Sequence, residues 1–254
     1  MDLVVITGAG QGIGKAIALD FGMRNMPVLC ISKSANARRT KEEILKKGGI
    51  AESLIMDISN YEKTKTLISK WVSKKSYKKI GVVLAAGILG PTGFKDFKGW
   101  DDCYKINGIG NTALLYALVP RMIENKFGRI VAFAGGGSAY PYPLFPAYSA
   151  SKTAMVRTVE NIHEDLKNKG DFAIVCLAPG ATETNMLKKV REAGAEVKTV
   201  VDISEPVTFV REFILSKSCG FSGAFIHVRD NWKDYLNNER KLVTGSLWKL
   251  RRIE

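Results

Sequence analysis

Tyr148 and Lys152 stand at the two ends of Tyr148-Ser149-Ala150-Ser151-Lys152, inside a segment with helical patterning. Residues i and i+4 of a helix share a face, so this spacing brings a phenol beside an ammonium. A phenol titrates near pH 10 and is protonated at neutral pH. A neighbouring ammonium favours the phenolate, so the pair predicts a Tyr148 pKa below its ordinary value. A second group of residues binds rather than reacts. Thr7-Gly8-Ala9-Gly10-Gln11-Gly12-Ile13-Gly14 follows an apolar run near the N-terminus and precedes an apolar-faced helix. Glycines there allow a tight turn and close approach of backbone to a pyrophosphate. The helix start adds free N–H groups and partial positive charge.

These residues need a scaffold, and the chain alternates apolar β-type runs with amphipathic segments. The runs are Leu3 to Ile6, Pro27 to Ser32, Ala51 to Met56, Ile80 to Ala85, Arg129 to Ala134, Phe172 to Leu177 and Ala224 to Val228. Between them the apolar spacing predicts helices over Ile13 to Gly22, Asn36 to Lys47, Tyr61 to Lys74, Trp100 or Asn107 to Asn125, Tyr148 to Lys169 and Glu205 to Leu215. The polar stretch Asn185 to Thr199 has no clear period. Strands apolar on both faces and alternating with helices imply an α/β fold: a doubly wound, Rossmann-like parallel sheet of about seven strands in three layers. No linker or repeat divides the chain, so 1–254 is expected to be a single dinucleotide-binding domain. Residues 230–254, rich in charge and tryptophan, form a C-terminal extension expected to fold back on the domain or onto a partner subunit.

Composition narrows the function classes. The chain has 254 residues and a formal net charge of +13. Such a field favours anions, although lysines spread over helix faces are ordinarily just solvated. No nucleic-acid motif is present, and no apolar stretch is long enough for a membrane span. A cytoplasmic location is the expectation, with no nucleic-acid or membrane partner. Cys30, Cys103, Cys176 and Cys219 are far apart and form no CxxC pair. They read as buried reduced thiols. With only His163 and His227, no metal site is expected. His163 reads as a surface or packing residue.

The motifs resemble the short-chain dehydrogenase/reductase family of classical type along nearly the whole chain. Its phosphate-binding turn is TGxxxGxG, matched from Thr7 to Gly14. Met56-Asp57-Ile58 sits where the family has an acidic residue near the adenine. Leu84-Ala85-Ala86-Gly87 is similar to the Asn-Asn-Ala-Gly motif with both asparagines replaced. Asn107 lies at the position of the family's site asparagine. Tyr148 to Lys152 matches Y-x-x-x-K. Pro179-Gly180 with Thr184 matches the segment that contacts nicotinamide.

The resemblance implies an oxidoreductase that moves a hydride between a nicotinamide dinucleotide and a carbonyl or secondary alcohol. Tyr148 would be its acid/base. Lys152 would tune Tyr148 and hold the ribose, and Asn107 would support a water in a proton relay. The implied cofactor-binding set is Gly8, Gly10, Gln11, Gly12, Ile13, Gly14, Ser32, Lys33, Asp57, Ile58, Ala85, Ala86, Gly87, Tyr148, Lys152, Pro179, Gly180 and Thr184. NAD-dependent members carry Asp at the end of the second strand. Ser32 and Lys33 stand there instead, with Arg38 and Arg39 close behind. This favours NADP(H) over NAD(H).

One departure bears on catalysis. The family places a serine about thirteen residues before the tyrosine, and here Ala134 or Gly135 takes that place. The run Gly135-Gly136-Gly137 resembles a subgroup with Ser-Gly-Gly-Gly at this point. Loss of one such donor is worth on the order of 3 kcal/mol in a transition state. Ser138 could replace the hydroxyl. A backbone N–H of the glycine loop, or the substrate itself, could supply the donor. Alternatively the protein is a non-catalytic dinucleotide-binding sensor or scaffold.

The substrate side falls to Gly87–Gly99, Pro141–Pro146 and Asn185–Thr199. The rings of the second segment could face a substrate, and Lys188, Lys189 and Arg191 could meet an anionic group. The triple glycine and the terminal Trp248–Ile253 resemble members encoded with glycan-biosynthesis enzymes, which implies a small sugar-linked substrate. A 3-oxoacyl group on an acidic carrier protein is the alternative. The resemblance also implies a homodimer or homotetramer through the helices Asn107–Asn125 and Tyr148–Lys169.

Overall fold

Apolar residues on both faces of each pleat turn these runs into the interior of a sheet. In β1 (Leu3–Thr7) every residue is buried. Val4 and Ile6 join the core on one side, and Leu3 and Val5 the core on the other. β2 (Val28–Ser32), β3 (Ala51–Ile55), β4 (Ile80–Leu84), β5 (Phe127–Phe133), β6 (Asp171–Ala178) and β7 (Phe225–His227) complete the set. All pair in parallel, in the order β3-β2-β1-β4-β5-β6-β7. The structure, a computed structural model, describes residues 1–236 and 248–250.

Helices cover both faces, as the doubly wound fold requires. On one face α1 (Gly12–Gly22), α2 (Asn36–Lys46) and α8 (Ser204–Leu215) bury Ile17, Phe21, Ile44, Phe209 and Phe213. On the other lie α3 (Tyr61–Val72), α5 (Asn111–Glu124) and α6 (Pro146–Leu166), with Ile68, Leu114, Leu118 and Val156. The strand order reverses direction between β1 and β4, which opens a crevice at their C-terminal ends.

Four segments differ from the sequence reading. The helix expected from Trp100 or Asn107 begins earlier as α4 (Phe97–Cys103), widens into a π-helical turn over Tyr104–Gly110, and resumes as α5. Side chains take up carbonyls in the widened turn. Asn111 Nδ2 donates to the Ile106 and Asn107 carbonyls, and Thr112 Oγ1 to Gly108 O. The polar stretch Asn185–Thr199 contains α7 (Asn185–Glu192), started by Thr184, whose hydroxyl accepts from Leu187 N–H. The last strand is shorter than Ala224–Val228, and α6 starts at Pro146, ahead of Tyr148.

At the N-terminal edge of the sheet, Arg129 of β5 is completely buried. Its guanidinium donates to the Asp171 carboxylate at 3.0 Å, to the Asp171 and Ser216 carbonyls at 2.9 and 3.1 Å, and stacks over Phe127. The described part of the tail folds back on the domain. Trp232 packs edge-on against Phe209, and Trp248 against Phe221 and Tyr235. Trp248 O accepts from Phe225 N–H at 2.7 Å. Arg157 and Glu160 of α6 hold the Leu250 backbone. The rest of the expected extension lies outside the described residues.

Candidate functional site

Gly8 at φ +68° and Gly12 at φ +53° adopt backbone that L side chains rarely reach, so the turn after β1 needs glycine there. A Cβ on Gly14 would lie 2.5 Å from Gly8 O, and one on Gly8 2.8 Å from Ala85 O. The turn is thus packed directly on its helix and on the end of β4. The cradle that remains fits a pyrophosphate: small, backbone-lined and open at the first turn of α1.

That cradle is one end of a cleft of about 410 Å³ at the C-terminal ends of β1, β2, β4 and β5. Seventeen of the eighteen cofactor-binding residues expected from the sequence line it, from Gly8 round to Thr184. Gly180 lines the adjoining cleft, of about 500 Å³. The first cleft also takes Asn36, Ile106 and Met186, which the sequence reading missed. None carries a motif of its own, and only the chain path brings them in.

At the ribose end the Ser32 hydroxyl donates to Ser34 O at 2.8 Å and accepts from Ala37 N–H at 3.2 Å. A Cβ on Gly10 would meet Asn36 Cβ at 2.7 Å, so this loop packs against the turn. Lys33 is exposed and lines the cleft, whereas Arg38 and Arg39 point to solvent outside it. Burial draws the Asp57 carboxyl upward, but hydrogen bonds from Ser59 and the charge of Lys33 outweigh it and leave the pKa below the ordinary value.

Tyr148 lines both clefts, and Lys152 lines the first. Lys152 is 3% exposed, and its Nζ donates to Phe133 O at 2.8 Å. It sits 5.8 Å from the Tyr148 ring centroid. Gly87 keeps this corner open, since a Cβ there would lie 3.4 Å from Nζ. The expected lowering of the Tyr148 pKa is reversed. Burial, with Tyr142 and Cys103 nearby, pushes the phenol up to about 12. Burial also pushes Lys152 down to about 8. Both shifts favour the neutral form, because withdrawal from water is the largest influence on each group.

Asn107 is completely buried and lines neither cleft. Its Oδ1 accepts from Ile88 N–H at 2.8 Å, and its Nδ2 donates to Ile88 O at 3.0 Å and Ser151 Oγ at 2.9 Å. The side chain therefore ties the loop after β4 to α6. A neighbouring network replaces the missing asparagines of the β4 motif. Thr7 Oγ1 donates to Asn111 Oδ1 and accepts from Ala86 N–H, while Asn111 Nδ2 donates to Ala86 O. The only sequence signal for it was the polarity of Asn111 on an otherwise apolar helix.

Of the two residues proposed for the serine position, Gly135 is the one facing the phenol: a Cβ there would lie 3.0 Å from Tyr148 Oη. Ser138 is buried, its hydroxyl has no partner among the described residues, and it lines neither cleft. The turn Gly136–Ser138 holds it there through Ser138 N–H to Gly135 O. Tyr140, Pro141 and Tyr142 do line the second cleft, while Phe145 packs inside at 2% exposure. Lys188, Lys189 and Arg191 do not. Arg191 forms a two-pronged pair with Glu183, and Lys188 lies 3.8 Å from Glu192.

Among the described residues no cluster could hold a metal ion, and no helix is long and apolar enough to cross a membrane. Cys30, Cys103 and Cys176 are buried free thiols, and Cys219 is half-buried. His163 packs in the fold, its Nδ1 bonded to Ser222 Oγ at 2.9 Å.

Comparison with known proteins gives a consistent picture. The family described as "short chain dehydrogenase" matches residues 2–195. A short chain dehydrogenase of Pseudocercospora fijiensis is 29% identical over 187 residues, covering 72% of this chain and 60% of its own length. The very-long-chain 3-oxoacyl-CoA reductase of Macaca fascicularis is 28% identical over 249 residues, covering 90% and 73%. This chain thus spans well under the full length of such relatives. Among solved structures, one from Beutenbergia cavernae assigned as an NAD(P)-dependent gluconate 5-dehydrogenase, with NADP at low occupancy, has a TM-score of 0.82. It is 24% identical and is covered over 91% of this chain and 96% of its own, a likeness of fold. An NAD+-bound xylitol dehydrogenase is as similar in fold, at TM-score 0.81 and 22% identity, over 89% of this chain and 96% of its own.

Proposed function

The chain belongs to the short chain dehydrogenase family of NAD(P)-dependent oxidoreductases, and from that premise we propose that it is a carbonyl reductase acting on a small molecule, with NADP(H) as its preferred cofactor. The carrying observation is the meeting of Tyr148, Lys152 and the glycine cradle around one cleft. A bound nicotinamide supplies the hydride. The chain's own residues do the rest. The backbone of Gly8–Gly14 and the start of α1 hold the pyrophosphate. Lys33, exposed beside Ser32, offers its charge to a 2′-phosphate. Lys152, beside Gly87, would hold the ribose.

Tyr148 gives its proton to the substrate oxygen. A phenol held up to about 12 is protonated at neutral pH, which suits reduction over oxidation. The donor usually supplied by a serine falls to the backbone. Gly135 lines the second cleft beside Tyr148, and its N–H has no partner among the described residues. A homodimer or homotetramer would pair through α5 and α6, a reading supported by the exposure of Tyr104, Ile109 and Tyr116 around a groove that both helices line.

NADPH oxidation with a panel of simple ketones, run on wild type and Tyr148→Phe, tests the reading. The variant is expected to lose about 10²–10⁴-fold in turnover with cofactor binding retained. Fluorescence titration of the same proteins should show NADPH bound more tightly than NADH. Equal turnover by both proteins sinks the proton-transfer role, and tighter NADH binding sinks the cofactor preference.

A further inference from the structure

The second cleft has a polar wall that the proton-transfer machinery does not use. Its clearest member is His227, the last residue of β7, which lines the cleft together with Tyr148, Gly135 and Gly180. The ring is fixed from behind. Arg229 N–H donates to its Nδ1 at 3.2 Å, and its own backbone N–H is held by Asp230 Oδ2 at 2.7 Å. A neutral imidazole that accepts at Nδ1 carries its proton on Nε2. Burial lowers the pKa of His227, with Asp230 and Glu205 acting against it and Arg229 with it, which favours the neutral ring.

Nε2 points toward Gly180, where a Cβ would lie 3.6 Å away. Gly180 has φ +74° and carries no side chain to cover the nitrogen. No described residue accepts from Nε2. The wall around it is also held in place. The Arg229 guanidinium donates to Thr199 Oγ1 and Val200 O, each at 3.2 Å. Thr182, which lines the same cleft, is 4% exposed, and its hydroxyl has no partner among the described residues. A ring N–H without a protein partner, on a wall otherwise pinned by hydrogen bonds, fits a ligand that brings an oxygen atom of its own. A site built to hydrogen-bond a substrate rejects an analogue lacking that group, because its buried polar atoms are then left unpaired.

We propose that His227 is a specificity-determining residue whose Nε2–H donates to a second oxygen of the substrate, so that the preferred substrate class is a ketone bearing another carbonyl, carboxylate or hydroxyl oxygen near the one reduced. The proposal rests on the carbonyl-reductase reading.

The test pairs ethyl 3-oxobutanoate, which has a second carbonyl, with pentan-2-one, which does not. In His227→Leu the ratio of kcat/KM for the two ketones should fall at least tenfold relative to wild type. In His227→Gln, which keeps an N–H donor, it should stay within threefold. An unchanged ratio in His227→Leu overturns the role. A second readout needs neither turnover nor a variant of His227. With 15N-labelled histidine, the ring of His227 is assigned by comparison with His163→Gln. It should show the Nε2–H tautomer. In the presence of NADP+, its Nε2 signal should move with ethyl 3-oxobutanoate and not with pentan-2-one. An Nδ1–H tautomer, or the same response to both ketones, overturns the proposal. Turnover independent of Tyr148 would instead overturn the underlying reading, whatever the histidine does.

Discussion

β5 has a buried cation near each end, and the two are built in opposite ways. Arg129, near its start, meets the Asp171 carboxylate and the carbonyls of Gly128, Asp171 and Ser216. Lys152 reaches the far end from α6 and meets one neutral carbonyl, Phe133 O. Both are almost fully buried. A buried cation with a counter-ion and several acceptors serves the fold. One left with a single neutral acceptor is a source of free energy loss to the fold, and its pKa falls accordingly, to about 8. The first sits at the N-terminal edge of the sheet. The second sits at the C-terminal edge, where doubly wound sheets bind ligands. The difference separates a structural charge from a working one without reference to any motif.

Removing Arg129 should have the largest effect on stability. Arg129→Met leaves the Ser216 and Asp171 carbonyls without a buried donor, and breaking such a pair costs about 3–5 kcal/mol. Asp171 is more than half exposed and can turn to water, which places the loss at the lower end. Thermal unfolding should show a melting temperature lower by roughly 10 °C. Cofactor affinity measured below that temperature should be preserved. An unchanged melting temperature would remove the structural half of the contrast.

Lys152→Met should move stability the other way. The folded chain holds the Lys152 ammonium against its preference, since burial lowers the pKa from 10.5 to about 8. An apolar chain of similar length removes that cost, and the variant should gain on the order of 1–2 kcal/mol at pH 7. Turnover should be lost at the same time. In the wild type, the unfolded chain binds this proton between about pH 8 and 10.5 while the folded chain does not, so the group's contribution to stability rises across that window. A lower melting temperature for Lys152→Met at pH 7 would show that the lysine is structural after all.

The same contrast explains what the sequence could reveal. Local signals were enough for the glycine turn, the seven apolar strands and the Tyr148–Lys152 pair, because each depends on spacing within a few residues. Arg129 stood in an apolar run with nothing to mark it as buried, since its partners Asp171 and Ser216 are 42 and 87 residues away. The Thr7–Asn111 bond spans 104 residues and was missed for the same reason. The spacing of Tyr148 and Lys152 was legible, but the sign of the phenol's shift was not. Attraction between neighbours can be read from spacing, whereas the cost of burial depends on the closed fold around them. Gly135 could be narrowed to one of two positions, and only the 3.0 Å between a Cβ built there and Tyr148 Oη singled it out.

The pH dependence of reduction gives the finest test of the second cation. Lys152 loses its proton as pH rises through about 8, whereas Tyr148 keeps its own until about 12. The protonated fraction of Lys152 therefore sets the active fraction over the accessible range. kcat/KM for ketone reduction with NADPH should be level from about pH 6 to 7.5. Above pH 8 it should fall by about tenfold per unit, as expected for loss of a single proton. The phenolate has no proton to give, so a lowered Tyr148 pKa, as the spacing of the pair first suggested, would also make reduction fall with pH. A profile level to pH 9 would show that neither group titrates near 8.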